Sequence, residues 1–213
     1  MTEVFWHENI ISRRDREELN GNKGCVIWFT GLSASGKSTI ANLLDYELHN
    51  QGYHSAVLDG DNIRHTLNAG PCRLRDRHGE EFAKRFGLTF SAQDREENIR
   101  RIGCTAKILC DLGIIAITAF ISPYQRDRDN ARAMVEDDDF IEVFVNTPLE
   151  VCEARDPKGL YKKARSGELK GFTGIDDPYE IPDNPELALD GCRSPELLVE
   201  DVIAHLKLAG KIR

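Results

Sequence analysis

No run of apolar residues in this 213-residue chain is long enough to cross a bilayer. The opening stretch MTEVFWHENIISRRDREELN lacks the apolar h-region of a secretory signal, so none is expected. Positive charge is the minority: 28 Lys and Arg stand against 36 Asp and Glu, for a net charge of -8. That balance argues against broad binding to nucleic acid or to an anionic membrane, while leaving room for a local basic pocket. The six cysteines (Cys25, Cys72, Cys104, Cys110, Cys152, Cys192) include no pair at C-x-x-C spacing, which argues against a zinc site. Reduced thiols in a cytoplasmic protein are the corresponding expectation. Internal repeats and low-complexity tracts are also absent, which excludes a solenoid or a long flexible linker.

What the chain does have is alternation. Short apolar runs, CVIWF (25–29), SAVLD (55–59), IIAIT (114–118) and FIEVFV (140–145), read as buried strands. Between them lie amphipathic stretches. One carries Ile40, Leu43, Leu44 and Leu48 at helical spacing. Another spans Asp94 to Leu112, with Ile99, Ile102, Ala106 and Leu109 on one face. A last helix opens with Ser194 as N-cap and Pro195 at its first position. Apolar strands separated by helices predict an α/β fold: a parallel sheet covered on both faces, with ligands beyond the carboxyl ends of the strands. Residues 1–213 read as one domain. Two surface excursions on the ligand side interrupt it: a highly charged one at about 69–89, and one at about 156–183 that is rich in Lys, Gly and Pro and weak in core residues.

GLSASGKST (31–39) meets the pattern G-x-x-x-x-G-K-[ST] between a predicted strand and a predicted helix, the context that a P-loop requires. Its residues, Gly31, Leu32, Ser33, Ala34, Ser35, Gly36, Lys37, Ser38 and Thr39, would turn backbone N–H groups toward a nucleoside triphosphate. Lys37 would reach the outer phosphates and Ser38 would hold Mg²⁺. The guanine reader N-K-x-D is missing, and the chain is too short for an AAA-type motor. A small-molecule kinase is the reading left.

The acceptor should lie at the end of the second strand, in LDGDNIRHTLN. Asp59 and Asp61 stand two apart there, and Arg64 follows. A carboxylate at this place can hold magnesium, orient a hydroxyl or take its proton; equally, Asp61 can be a helix N-cap. Arg64 offers a planar fork to an oxyanion. In FSAQDREENIRRIG, Arg95, Asn98 and Arg101 share a helix face that can bind an anion or pair with Glu96 and Glu97. After the third strand, Ser122 precedes Pro123 and can bind phosphate, accept it or cap the helix that follows. Arg126, Arg128 and Arg132 are further anion candidates or surface residues.

Taken in order, GLSASGKST, DGDNIRHTLN, FSAQDREENIRRIG, FISPYQRDRDNAR and VCEARDPKGLYKKARSGELKGFTGIDDPYE resemble the adenylylsulfate kinases, from about Trp6 to the last helix. The resemblance implies a P-loop NTPase-type fold with a mobile lid at about 156–183. The implied reaction is ATP-dependent phosphorylation of adenosine 5'-phosphosulfate on its 3'-hydroxyl, giving 3'-phosphoadenylyl sulfate; the alternative is another small P-loop kinase with a nucleotide-like acceptor. It implies that Gly31–Thr39 and the lid residue Lys158 bind ATP, and that Ser38 and Asp61 hold Mg²⁺. It implies that Asp61, Arg64, Phe90, Arg95, Asn98, Ile121 and Phe172 bind the acceptor, with its adenine between Phe90 and Phe172. Lys37 and Asp61 would be catalytic, and Ser122 matches the family's proposed phosphoserine position. A homodimer and functional coupling to ATP sulfurylase are implied as well. Two departures stand out. The connector between Thr66–Asn68 and Leu88–Ser91 is longer than the family's, which puts the placement of Phe90 in question. Ala34 replaces the usual loop glycine.

Overall fold

Residues 3–5 and 7–213 are described by the computed structural model of the chain; Trp6, where the resemblance begins, lies outside them. The four expected strands form, as β1 (Cys25–Thr30), β2 (Ser55–Asp59), β3 (Ile115–Ala119) and β4 (Phe140–Asn146). A fifth, β5 (Leu187–Asp190), was not expected. It is four residues long and mostly not buried, so it carries little apolar signal. The order is β2-β3-β1-β4-β5 and every neighbouring pair is parallel. All six residues of β1 are buried, the pattern of a central strand covered on both faces. The chain departs from β1 toward β2 on one side and later fills β4 on the other. The carboxyl end of β1 is therefore the switch point at which a ligand crevice opens.

The two faces have separate cores. Cys25, Ile27 and Phe29 point to one, where α2 (Lys37–Asn50) and α10 (Pro195–Leu208) contribute Ile40, Leu44, Leu198 and Val202. Val26 and Trp28 point to the other, packed by Ile99, Ile102 and Ala106 of the long helix α6 (Ala92–Asp111). The Trp28 ring lies between those of Phe120 and Phe140, with centroids 6.4 and 5.6 Å away. Across α6 lies α7 (Gln125–Arg132), close enough that a Cβ on Gly103 would come within 3.3 Å of Ala131 Cβ. The first helix, α1 (Arg13–Asn20), is fastened by Arg13, which bonds the Gly24 carbonyl and pairs with the buried Asp139; Lys211 donates to the same carboxylate over 2.8 Å.

The short elements surround the ligand end: the single turn α3 (Gly60–Ile63), then α8 (Leu149–Arg155) and α9 (Leu160–Arg165). The charged excursion is not irregular. It folds as a hairpin of α4 (Pro71–His78) and α5 (Glu80–Phe86), with Pro71 at a first-turn position that needs no N–H. A Cβ on Gly87 would meet Ala83 O at 2.6 Å and Pro71 N at 2.7 Å, so only glycine closes this hairpin. Leu88 N donates to Ala69 O over 3.2 Å, so the excursion leaves and returns at one point. The added length is therefore looped out ahead of Phe90. The segment 156–183 also differs from its composition. Tyr161, Ala164 and Phe172 are buried in a small core with Cys152 that packs against Leu32 and Ala34 of the P-loop. Among the described residues no helix is long and apolar enough to cross a membrane.

Candidate active site

β1 ends at Thr30 and the chain turns at once into the P-loop. Gly31 takes φ +146°, and a Cβ there would stand 2.7 Å from Val145 O. Gly36 takes φ +112° as N-cap of α2, so the loop runs directly into the positive end of that helix. Ala34 sits in left-handed space at φ +60°, where an L-residue other than Gly is strained by about 1–2 kcal/mol. The Lys37 ammonium is buried within the loop and donates to Gly31 O (2.9 Å), Leu32 O (2.6 Å) and Ser35 Oγ (3.3 Å). Burial pushes its pKa down to about 8, against the raising fields of Cys152 and Asp59. Thr39 is an exposed residue of the first turn of α2.

The aspartates at the end of β2 divide their work differently from the sequence expectation. Asp59, not Asp61, is the N-cap of α3: its Oδ1 accepts from the amides of Asp61 (2.9 Å) and Asn62 (3.4 Å). Its other oxygen accepts from Ser38 Oγ over 2.6 Å. The carboxylate brought to the P-loop serine is thus that of Asp59. Asp61 is exposed and pairs with Lys158 of the 156–183 segment. A cavity of about 670 Å³ joins these parts, with Lys37, Ser38, Asp59, Asp61 and Lys158 in its walls.

On the acceptor side, Arg64 lies 4.2 Å over the Phe90 ring and donates to the carbonyls of Leu88 (3.4 Å) and Thr89 (3.3 Å). Burial lowers its pKa, and the nearby charge of Arg95 adds to the effect. Arg95 does not pair with Glu96 or Glu97. It reaches the lid segment, donating to Thr173 Oγ1 (3.1 Å) and Gly171 O and pairing with Asp177, on which the Tyr124 hydroxyl also donates (3.1 Å). Glu97 instead pairs with Arg100 and Arg101. Asn98 is buried, and its Oδ1 accepts from Asn68 Nδ2 over 2.9 Å. The Phe90 and Phe172 rings are not paired with each other. Phe90 is 68% exposed beneath Arg64, while Phe172 is buried edge-on against Tyr161, centroids 5.0 Å apart.

Ile121 and Ser122 follow β3. Ile121 O accepts from Thr30 Oγ1 over 2.7 Å. Ser122 does not cap the next helix; Tyr124 holds that position. Its side chain turns inward, buried, with its Oγ accepting from Trp28 Nε1 (3.1 Å), and its backbone is left-handed at φ +39°. One further residue went unnoticed in the sequence. Arg155 donates to Ser35 O (3.2 Å) and Gly191 O (2.8 Å), tying the P-loop to the turn after β5. No motif marks it, because its role depends on a strand that the sequence pattern did not disclose.

A triphosphate seated on these amides would direct its terminal group toward the turn after β2. There, Arg64 over an exposed ring suits a bound anionic molecule better than a lone water. This is the layout of a P-loop kinase for a small anionic acceptor. The family model described as adenylylsulphate kinase matches residues 23–190, and the chain belongs to the adenylylsulfate kinase family. It is 56% identical to the adenylyl-sulfate kinase of Rhodopirellula baltica over 87% of this chain and 77% of that one. It is 51% identical to adenylyl-sulfate kinase 3 of Arabidopsis thaliana over 98% and 94%. Among solved structures, an APS kinase of Mycobacterium tuberculosis in complex with AMPPNP and APS superposes with a TM-score of 0.76 at 46% identity, covering 87% of this chain and 99% of that one.

Proposed function

We propose that the chain transfers the terminal phosphoryl group of ATP directly to the 3'-hydroxyl of adenosine 5'-phosphosulfate, giving 3'-phosphoadenylyl sulfate. ATP-dependent phosphorylation of this acceptor is the activity of its family, and the observation that carries the finer reading is one cavity. It has Lys37 and Ser38 in one wall and the Asp59–Asp61 turn in the other.

The P-loop amides grip the phosphates, and Lys37 leaves the loop carbonyls for phosphate oxygens when ATP enters. Ser38 and Asp59 fit Mg²⁺: a hydroxyl and a carboxylate already 2.6 Å apart supply the hard oxygens it prefers. When bound, the ion neutralises charge on the phosphates. Lys158 exchanges Asp61 for ATP, and the freed Asp61 carboxylate orients the ribose hydroxyl and takes its proton. Arg64 and Arg95 hold the phosphosulfate, Asn98 and Ile121 line the site, and the acceptor's adenine stacks between Phe90 and Phe172. Each stacking face contributes about 1–3 kcal/mol. The lid, about 156–183, closes over ATP and keeps out water, the competing acceptor.

Direct transfer is favoured because Ser122 Oγ is buried on the Trp28 indole rather than facing a base. A homodimer, a cytoplasmic setting and coupling to ATP sulfurylase complete the proposal; sedimentation, fractionation and co-purification test them. The reaction itself is tested by a coupled assay over several acceptors. Transfer to adenylyl sulfate but not to AMP or gluconate is the expected result. Preferred transfer to AMP or gluconate overturns it.

A further inference from the structure

One guanidinium, outside the walls of the cavity, connects three pieces of the site. Arg128 of α7 is 1% exposed, and its donors leave in four directions. Nε donates to Glu142 Oε1 of β4 over 2.7 Å, which balances the charge. Nη1 donates to Ser122 O over 2.7 Å. Nη2 donates to Gln125 Oε1 (2.6 Å) and to Glu180 O (2.8 Å) at the carboxyl end of the lid segment. The neighbouring Tyr179 ring lies 5.8 Å from the same guanidinium. Glu180 is held from two more sides, its N–H donating to Pro123 O (2.8 Å) and its carboxylate accepting from Gln125 N (2.6 Å).

The circuit closes on the P-loop. Thr30 is the last residue before Gly31, and its single hydroxyl proton goes to Ile121 O at 2.7 Å. The 2.9 Å contact between Thr30 Oγ1 and the Tyr179 hydroxyl therefore has tyrosine as donor. The P-loop entrance, the Ile121–Pro123 turn and the lid exit are thereby joined around Arg128. The turn needs such a fixture, because Ser122 is held at φ +39°, a conformation that serine does not favour on its own.

We infer that Arg128 is a positioning residue for phosphoryl transfer: it fixes the Ile121–Ser122 turn against the lid's Tyr179–Glu180 exit, and so sets where the acceptor lies relative to the P-loop. Lysine cannot replace it, since an ammonium has three donors on one atom and cannot span four acceptors set around a planar fork. The inference rests on adenylyl sulfate being the acceptor.

Arg128→Lys is assayed with each substrate varied in turn, beside thermal melting and hydrogen exchange. The expected result is a KM for adenylyl sulfate raised at least about tenfold with that for ATP within about twofold, because sub-ångström placement is what is lost. Faster exchange at 121–125 and 178–181 accompanies it in a protein still folded at the assay temperature. Equal changes in both KM values, or activity lost only in proportion to unfolded protein, overturn the inference. If Arg128→Lys does not fold, Tyr179→Phe decides: it removes one hydroxyl of the circuit, and an unchanged acceptor KM overturns the inference. Wild-type protein inactive on adenylyl sulfate contradicts the functional reading, and is seen before any variant is made.

Discussion

Ser38 Oγ and Asp59 Oδ2 are 2.6 Å apart, across the gap between the first turn of α2 and the end of β2. The contact makes Asp59 the partner of the P-loop serine, while Asp61 is paired with Lys158. Asp59→Asn is expected to weaken the response to Mg²⁺ by roughly 10–100-fold while keeping the fold, since asparagine caps a helix as well as aspartate does. A magnesium titration of activity, with Mn²⁺ binding followed by electron paramagnetic resonance, measures it. A shift produced by Asp61→Asn and not by Asp59→Asn returns the metal to Asp61.

Lys37, pushed down to about 8 by burial, gives the free enzyme an alkaline limit. ATP needs the ammonium, so its affinity is expected to fall by about tenfold per pH unit above 8. Stability moves the other way. The unfolded chain keeps this proton up to about pH 10.4, so over the interval from 8 to 10.4 it binds more protons than the folded state, and stability from this group rises with pH. Binding of a fluorescent ATP analogue between pH 7 and 10 provides the check. Affinity that stays flat to pH 9.5 contradicts it.

Phe172 has two duties that substitutions can separate. It belongs to the small core with Tyr161 and Leu32, and the proposed function gives it the acceptor's adenine as well. Phe172→Leu keeps most of the apolar volume and removes the aromatic face. It is expected to raise the KM for adenylyl sulfate by roughly 5–100-fold, the worth of one stacking contact, with little change for ATP. Phe172→Ala is expected to lower the melting temperature as well. Equal effects of Phe172→Leu on both substrates would remove the ring from the acceptor site.

Ser122→Ala deletes the acceptor of the Trp28 indole hydrogen bond. A loss of about 1–3 kcal/mol in stability is expected, with turnover within an order of magnitude of the wild type. Steady-state kinetics and denaturant titration together test this. A folded variant with no activity would favour a phosphoserine route.

The middle of the sheet was readable because β1, β3 and β4 are buried on both faces and so appear as largely apolar runs. β5 was not, being four residues long and stabilised by its neighbour rather than by its own composition. The P-loop is local, so nine consecutive residues sufficed to identify it. The division between Asp59 and Asp61 depends on which of them caps a single helical turn, and two carboxylates two residues apart look alike in sequence. Arg95 reads in sequence as an anion binder or a partner of Glu96 and Glu97; its bonds to Gly171, Thr173 and Asp177 lie more than seventy positions along the chain. Contacts at that separation leave no periodic trace. Arg128 reads in sequence as an anion candidate or a surface residue, and its burial is hidden for the same reason: its carboxylate partner sits inside a strand, where charge is not expected.

The single hydrogen bond between Leu88 and Ala69 gives the α4–α5 hairpin a natural seam. A polypeptide whose ends already meet costs almost no additional closure entropy when its middle is lengthened or exchanged. Gly79 at the tip keeps φ +82°, a conformation that strains any side chain, so the exposed Arg77 beside it is the port for a reporter group or a tethered second protein, attached without altering the geometry in which phosphate is passed.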